Sequence, residues 1–244
     1  VQYLKFPEIL NCYYAEGAVP APGALMKLPV LAQSLRQIAA TKGQALYCGE
    51  LAQRISAYAQ ATNGHLAMSD LAAHQAQWVT PLQIKYRGAT LYEMPPNSQG
   101  IAALIALGLL ERWDMSQYKP DSADAIHLQI EATRLAFAET YAHVADPDAM
   151  TVSVEELLSA SRLSALAKKI SIAHAQFPSA EANCSGGTTY LTAGDSDGLV
   201  VSYIQSSGYG FGSGLVVPGT AIALQNRASA FHPDPRHPNA YAPN

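Results

Sequence analysis

Three observations predict an α+β fold for this chain. Helical periodicity fills most of the sequence up to about residue 172. Strand alternation and turns fill the stretch from 188 onward, and a small, polar segment at 173–187 separates the two. Helices first and strands last imply a mostly antiparallel sheet. The chain is therefore expected to divide into a mostly helical portion, 1–187, ending in a linker, and the start of a β-rich portion, 188–244.

The elements follow in order. Residues 1–24 read as irregular, because Pro20 and Pro22 interrupt any helix. Pro29 opens a helical pattern in PVLAQSLRQIAATKG, with Leu31, Leu35 and Ile38 on one face and Gly43 as its stop. GELAQRISAYAQATNG repeats the pattern with Leu51, Ile55 and Tyr58, and Asn63-Gly64 ends it. Ser69 is the expected N-cap of SDLAAHQAQ. The period then switches to two: Leu82, Ile84 and Tyr86 alternate with polar residues, Arg87-Gly88 turns the chain, and ATLYEM runs onward as the second arm of a hairpin. PPNSQG breaks the pattern before an Ala- and Leu-rich helix near 99–112. The longest helical pattern covers 122–143, and Asp146-Pro147 closes it. Ser153 and Glu156 form a capping box for the next helix, whose signal fades near 172. Beyond 188, TTYLTAG and LVVSYIQ flank Asp197-Gly198 as a second hairpin. The bend SSGYGFGSG leads on to LVVPG and TAIALQN.

Composition narrows the function classes. With 49% hydrophobic and 14% charged residues, the chain can build a sizeable core and leave apolar surface for a partner. The net charge of −4, with no basic block, argues against nucleic acid or an anionic membrane as main partner. No apolar run approaches the roughly twenty residues of a spanning helix. Cys12, Cys48 and Cys184 are odd in number and widely spaced, which gives neither a disulfide framework nor a zinc site. The start, VQYLKFPEIL, lacks Met and a signal pattern, and the end, HPNAYAPN, stops in mid-loop, so the chain reads as a central part of a longer protein.

Several motifs invite a chemical reading and support a bland one better. His127 and Glu131 lie one turn apart in HLQIE, but no second His follows at metal spacing. His232, Asp234 and His237 sit in a proline-stiffened loop without an evident fourth ligand. Glycines 208, 210, 212 and 214 lack the GK[ST] and the following helix of a phosphate loop. They read as a tight bend where the backbone comes close to something. No cofactor and no metal are expected.

GGTTYLTAGDSDG, residues 186–198, carries the sharper question. A threonine hydroxyl is a weak nucleophile unless a base sits beside it. A threonine at the first position of a chain carries its own base, an α-amine of pKa about 8. Gly187 has no side chain to obstruct attack by the Thr188 hydroxyl on the preceding carbonyl. Thr188, Tyr190 and Thr192 share one strand face, and Thr189, Leu191 and Ala193 the other. Residue physics leaves two readings open here, a flexible entry to a hairpin and a self-cleaving junction.

The stretch from GGTTYLTAGDSDG through VSYIQSSGYGFGSGLVVPGTAIALQNRASAF to HPDPRHPNAYAPN resembles the γ-glutamyltranspeptidase family, in the branch with cephalosporin-acylase-like members. YCGELAQRI, MSDLAAHQAQWVTPLQIKYRG, YEMPPNSQG and ADPDAMTVSVEELLS resemble its large subunit, in the same order. The resemblance implies an N-terminal-nucleophile hydrolase with an αββα sandwich, incomplete in this chain. It implies a precursor that cuts itself at Gly187–Thr188, paired large and small subunits, and Thr188 as catalytic nucleophile. Ser206 falls where the family carries a second hydroxyl that positions the nucleophile's amine. The implied substrate is a γ-glutamyl amide such as glutathione, with water or an amino acid as acyl acceptor. Family members are often exported.

Departures from the family bear on the substrate. An acidic pair that grips the substrate ammonium is replaced by Ser229 and Ala230, just before Phe231. A substrate-contacting asparagine falls at Gly208, or at Ser207 in the sister branch, and Arg227 stands where a glutamine is usual. An acyl group bearing a carboxylate but no ammonium, such as glutaryl, is the alternative, with Arg227 as its partner. Against that, Arg227 reads as a surface or structural pair. The family's carboxylate-binding arginine lies before residue 1 and its oxyanion Gly-Gly pair after residue 244, so this chain alone is expected to be nearly inactive. A reading of another class remains: a degenerate relative acting as a non-catalytic binding domain.

Overall fold

A computed structural model describes residues 6–14, 18–176 and 188–241. The chain packs as two compact units, 1–76 with 183–229, and 77–182 with 230–244. Both mix helices with antiparallel strands.

The first unit holds helices α1 (Pro7–Tyr13), α2 (Pro29–Ala40), α3 (Gln44–Tyr47), α4 (Glu50–Ala61) and α5 (Met68–Ala73). Pro29 takes the first turn of α2 as expected. The buried position of that helix is Ser34, however, while Leu35 is 55% exposed. The reason is a polar partner: Ser34 Oγ donates to Thr220 O at 2.7 Å, so the helix turns its hydroxyl inward. In α4, Leu51 and Ile55 are buried as expected and Tyr58 half-buried. Asn63 adopts φ 58° and Gly64 N–H closes on Ala59 O at 2.7 Å. Ser69 is not the cap of α5: Ala67 holds that position, and its N–H donates to the Asp70 carboxylate at 2.8 Å. A carboxylate three residues into the helix reaches back more effectively than Ser69 reaches forward.

The strands of this unit are β3 (Thr188–Gly194), β4 (Val200–Ser206), β5 (Val216–Val217) and β6 (Ile222–Ala223). They follow the second unit's β1 (Leu82–Tyr86) and β2 (Ala89–Glu93) in the chain. β5 and β6 pair antiparallel, and α1 and α4 pack on β5, whose Val216 and Val217 are fully buried. Three hydrogen bonds fix the β5–β6 turn to the helices: Tyr13 Oη to Ala221 O at 2.9 Å, Ser34 Oγ to Thr220 O, and Arg54 Nη1 to Gly219 O at 3.4 Å. β3 and β4 form the expected hairpin, closed by Asp195, whose Oδ1 accepts N–H groups of Asp197 and Leu199, and by Gly198 at φ 86°.

In the second unit, β1 and β2 join through Arg87 and Gly88, both at positive φ, as a two-residue turn requires. Leu82, Ile84 and Tyr86 face a core built by α6 (Ile101–Leu110), α7 (Ala123–His143), α8 (Val154–Leu157) and α9 (Ala160–Ala167). Ile101, Ile105, Leu109, Leu128, Ala132 and Leu163 are its centre. Ser153 caps α8 through Glu156 N–H, but that helix lasts one turn, because Ser159 caps a separate α9. The expected single helix is thus two. Among the described residues the sheet expected from 188 onward consists of separate two-stranded pieces, and the segment expected as a linker lies outside them from 177 to 187.

Gly108 marks a tight contact in this core. A Cβ there would lie 2.7 Å from Leu163 Cδ1 and 2.8 Å from Ile84 Cδ1. Gly108→Val is expected to cost about 1–3 kcal/mol by overpacking, outweighing a helix-propensity gain of a few tenths. An unchanged denaturation midpoint would show that α6 and α9 yield there.

Candidate active site

The hairpin of β3 and β4 builds the site. Its register sets Thr188 opposite Ser206, Tyr190 opposite Ile204 and Thr192 opposite Ser202. Residues opposite one another share a face, so the hydroxyls of residues 188, 192, 202 and 206 line one side. Thr188 Oγ1 donates to Ser206 Oγ at 3.0 Å, bridging eighteen residues of sequence. Thr188 is exposed and Ser206 half-buried. Tyr190 Oη and Ser202 Oγ meet at 3.1 Å further along the face.

Ser206 is held from two more directions. Its Oγ accepts the Gly208 N–H at 3.0 Å, and its carbonyl accepts from Arg227 Nη2 at 3.4 Å. Gly208 sits at φ 94°, a conformation that favours glycine. Ser207 is half-buried, and its carbonyl accepts the Asn226 N–H at 3.1 Å. The glycine-rich bend therefore does come close to something: it folds back on residues 224–227. Gly212 N–H donates to Tyr209 O, Ser213 N–H and Oγ both donate to Leu224 O, and Arg227 N–H donates to Gln225 Oε1.

Four sequence-predicted site residues, Thr188, Ser206, Ser207 and Arg227, thus belong to one corner of the first unit. Gly187, the fifth, lies outside the described residues. Asn226 was not singled out by sequence reasoning. It follows a short strand with no periodic or motif signal of its own, and only its contacts across the bend reveal it.

The side chains of the other motifs engage one another and the backbone. His127 Nε2 meets Ser171 O at 2.7 Å. Glu131, 2% exposed, pairs with Arg134 at 2.9 Å and accepts the Gln176 N–H at 3.1 Å. His232 and His237 stack at 4.3 Å, and each Nδ1 accepts a backbone N–H, from Asp234 and Asn239 respectively. His237 Nε2 meets Tyr141 O at 3.0 Å, so that ring has both nitrogens engaged. Hydrogen bonds from the Arg236 side chain, then its backbone N–H, hold the Asp234 carboxyl down at about 2. Among the described residues no group of three His, Cys, Asp or Glu is placed to hold a metal ion, and no helix is long and apolar enough to cross a membrane.

Comparisons with known proteins agree on one family. The γ-glutamyltranspeptidase family model matches residues 2–244. The chain is 37% identical over 237 residues to an oxamate amidohydrolase proenzyme of Klebsiella pneumoniae, covering 97% of this chain and 44% of that protein. It is 34% identical over 237 residues to a glutathione hydrolase-like proenzyme of Bacillus subtilis, covering 97% and 45%. Among solved structures, a cephalosporin acylase from Bacillus halodurans matches with a TM-score of 0.88 and 40% identity, over 99% of this chain and 43% of that one. The chain therefore spans less than half the length of these relatives.

Proposed function

The chain belongs to the γ-glutamyltranspeptidase family and has its N-terminal-nucleophile hydrolase fold, and from this premise we propose that the protein carrying it is a self-processing threonine amidohydrolase or acyltransferase. The observation that carries the reading is the hydrogen bond from Thr188 Oγ1 to Ser206 Oγ at the start of β3.

The chemistry runs in two stages. Thr188 Oγ1 first attacks the carbonyl carbon of Gly187. A C–O bond forms, the 187–188 C–N bond breaks, and the hydroxyl proton passes to the departing nitrogen. Water hydrolyses the resulting ester, leaving a carboxylate at 187 and a free amine and hydroxyl on Thr188. In the second stage the amine takes the hydroxyl proton as Oγ1 attacks a substrate amide. The same proton passes to the leaving amine as its C–N bond breaks. Water or an amino acid then releases the acyl group and restores Thr188. Before each attack Ser206 orients the hydroxyl by accepting its hydrogen bond, which is released as the proton moves to nitrogen. Large and small chains stay paired after the cut.

The substrate class divides two readings. A γ-glutamyl amide suits the family. A glutaryl-type amide suits this corner better, because Arg227 offers a guanidinium beside β4 while Ser229 and Ala230 offer no carboxylate to an ammonium. Arg227→Gln is expected to lower kcat/KM for a glutaryl anilide about tenfold, the scale of one hydrogen bond to a charged group, and to leave a valeryl anilide, which lacks the carboxylate, nearly unaffected. Equal losses on both substrates would count against a carboxylate role. The central test is mass spectrometry of the full-length protein. A new N-terminus at Thr188 supports the reading; an uncut chain with Thr188 intact and no amide turnover rejects it in favour of a non-catalytic binding domain, and amide turnover that survives Thr188→Ala rejects Thr188 as the nucleophile.

A further inference from the structure

Ser206 accepts from Gly208 N–H and from Thr188 Oγ1, each at 3.0 Å. A hydroxyl oxygen has two acceptor lone pairs. With both engaged, the Ser206 proton points away from Thr188, and Gly208 O stands 3.5 Å off to receive it. Gly208 N–H thereby decides the polarity of the pair, keeping Ser206 the acceptor and Thr188 the donor. If that N–H moves away, the Ser206 hydroxyl is free to rotate and donate to Thr188 Oγ1, which engages one of the two lone pairs on the oxygen that must attack and lowers its nucleophilicity.

Asn226 grips both sides of Gly208. Its N–H donates to Ser207 O at 3.1 Å. Its Oδ1 accepts the Tyr209 N–H at 2.9 Å, and its Nδ2 donates to Tyr209 O at 3.2 Å and Gly212 O at 3.0 Å. A Cβ added to Gly208 would lie 2.0 Å from Asn226 Oδ1, so the carboxamide fills the space beside that α-carbon. Resting on the function proposed above, we infer that Asn226 is a positioning residue for Thr188, acting through the Gly208 N–H and the Ser206 hydroxyl. Its carboxamide presents one acceptor to one N–H and two donors to two carbonyls. Aspartate has the same shape but sets a charged oxygen against both carbonyls.

The test uses the full-length protein and reads the rate of 187–188 cleavage by intact mass, which needs no knowledge of the substrate. Asn226→Asp is expected to slow cleavage about tenfold, below the 10²–10³ cost of losing a donor that touches the reacting atoms directly. On a Ser206→Ala background the same substitution is expected to change the rate less than about twofold, because the relay is already broken. Asn226→Ala, with its thermal midpoint measured alongside, provides a second variant should the aspartate fold poorly. A wild-type rate in either folded variant overturns the inference, as does equal slowing on both backgrounds, which marks general loosening. If Thr188→Ala stays uncut while Asn226→Asp cuts normally, the positioning role alone fails. If Thr188→Ala is cut like wild type, the nucleophile reading fails and this inference with it.

Discussion

Thr188→Ala is expected to leave the full-length protein as one uncut chain and to lower amide turnover by on the order of 10⁴-fold or more, the scale of removing a nucleophile outright. On the proposed mechanism self-cleavage and turnover should vanish together, because one oxygen would serve both. Thr188→Ser is the informative companion. It keeps the oxygen but loses the methyl that restricts χ1, so cleavage should continue at a reduced rate. Thr189→Ala should cleave nearly normally, since residue 189 sits opposite Gln205 on the other strand face. Intact mass and N-terminal peptide mapping distinguish the three. Cleavage unchanged in Thr188→Ala, or lost equally in Thr189→Ala, would remove Thr188 from its assigned role.

The second large effect concerns stability. Glu131 is a carboxylate 2% exposed on α7, and Arg134, with 18% of its side chain exposed, is its ion-pair partner. Burial alone would raise the Glu131 pKa. The hydrogen bond from Arg134, the N–H of Gln176, and the charges of Arg134 and His127 outweigh burial and leave it below the ordinary carboxylate value. Arg134→Ala removes the main compensation and strands a buried charge, which typically costs about 3–5 kcal/mol; the residual exposure of Arg134 puts the expectation at the lower end. The sign with pH follows. A depressed folded pKa contributes stability that is fully present above the unfolded value of 4.5 and is lost as pH falls through the lower folded value. In Arg134→Ala the carboxyl titrates higher, so the stability difference from wild type should be large at pH 7 and shrink below the ordinary carboxylate range. A difference independent of pH from 3 to 7 would assign the effect to lost packing. Gln176 lies in the same network, so the variant should also loosen the chain at 176.

Much of the local structure was legible because period and punctuation were strong. Leu82, Ile84 and Tyr86 gave the first hairpin, and Arg87-Gly88 adopts the positive φ values its turn demands. The long helix at 123–143 and the hairpin of 188–206 were equally readable. The failures share a cause, which is that hydrogen bonds chose differently from hydrophobic period. Leu35 lost its place to Ser34 because Thr220 O, 186 residues away, needed a donor. Ser69 lost the cap position to Ala67, whose N–H the Asp70 carboxylate accepts. Ser159 split one expected helix into two.

Sequence alone determined the α+β composition, the family and the candidate nucleophile, since these depend on local pattern and on the order of segments along the chain. Tertiary structure decided which elements share a core. The last strands, β5 and β6, pack with the first helices, a pairing of residues about two hundred positions apart that no local period encodes. It also decided the surroundings of Thr188. The hairpin register brought Ser206 to 3.0 Å, and the glycine-rich bend laid its backbone against Asn226. Neighbourhoods of this kind depend on directional hydrogen bonds between distant segments, which exist only once the chain has closed on itself.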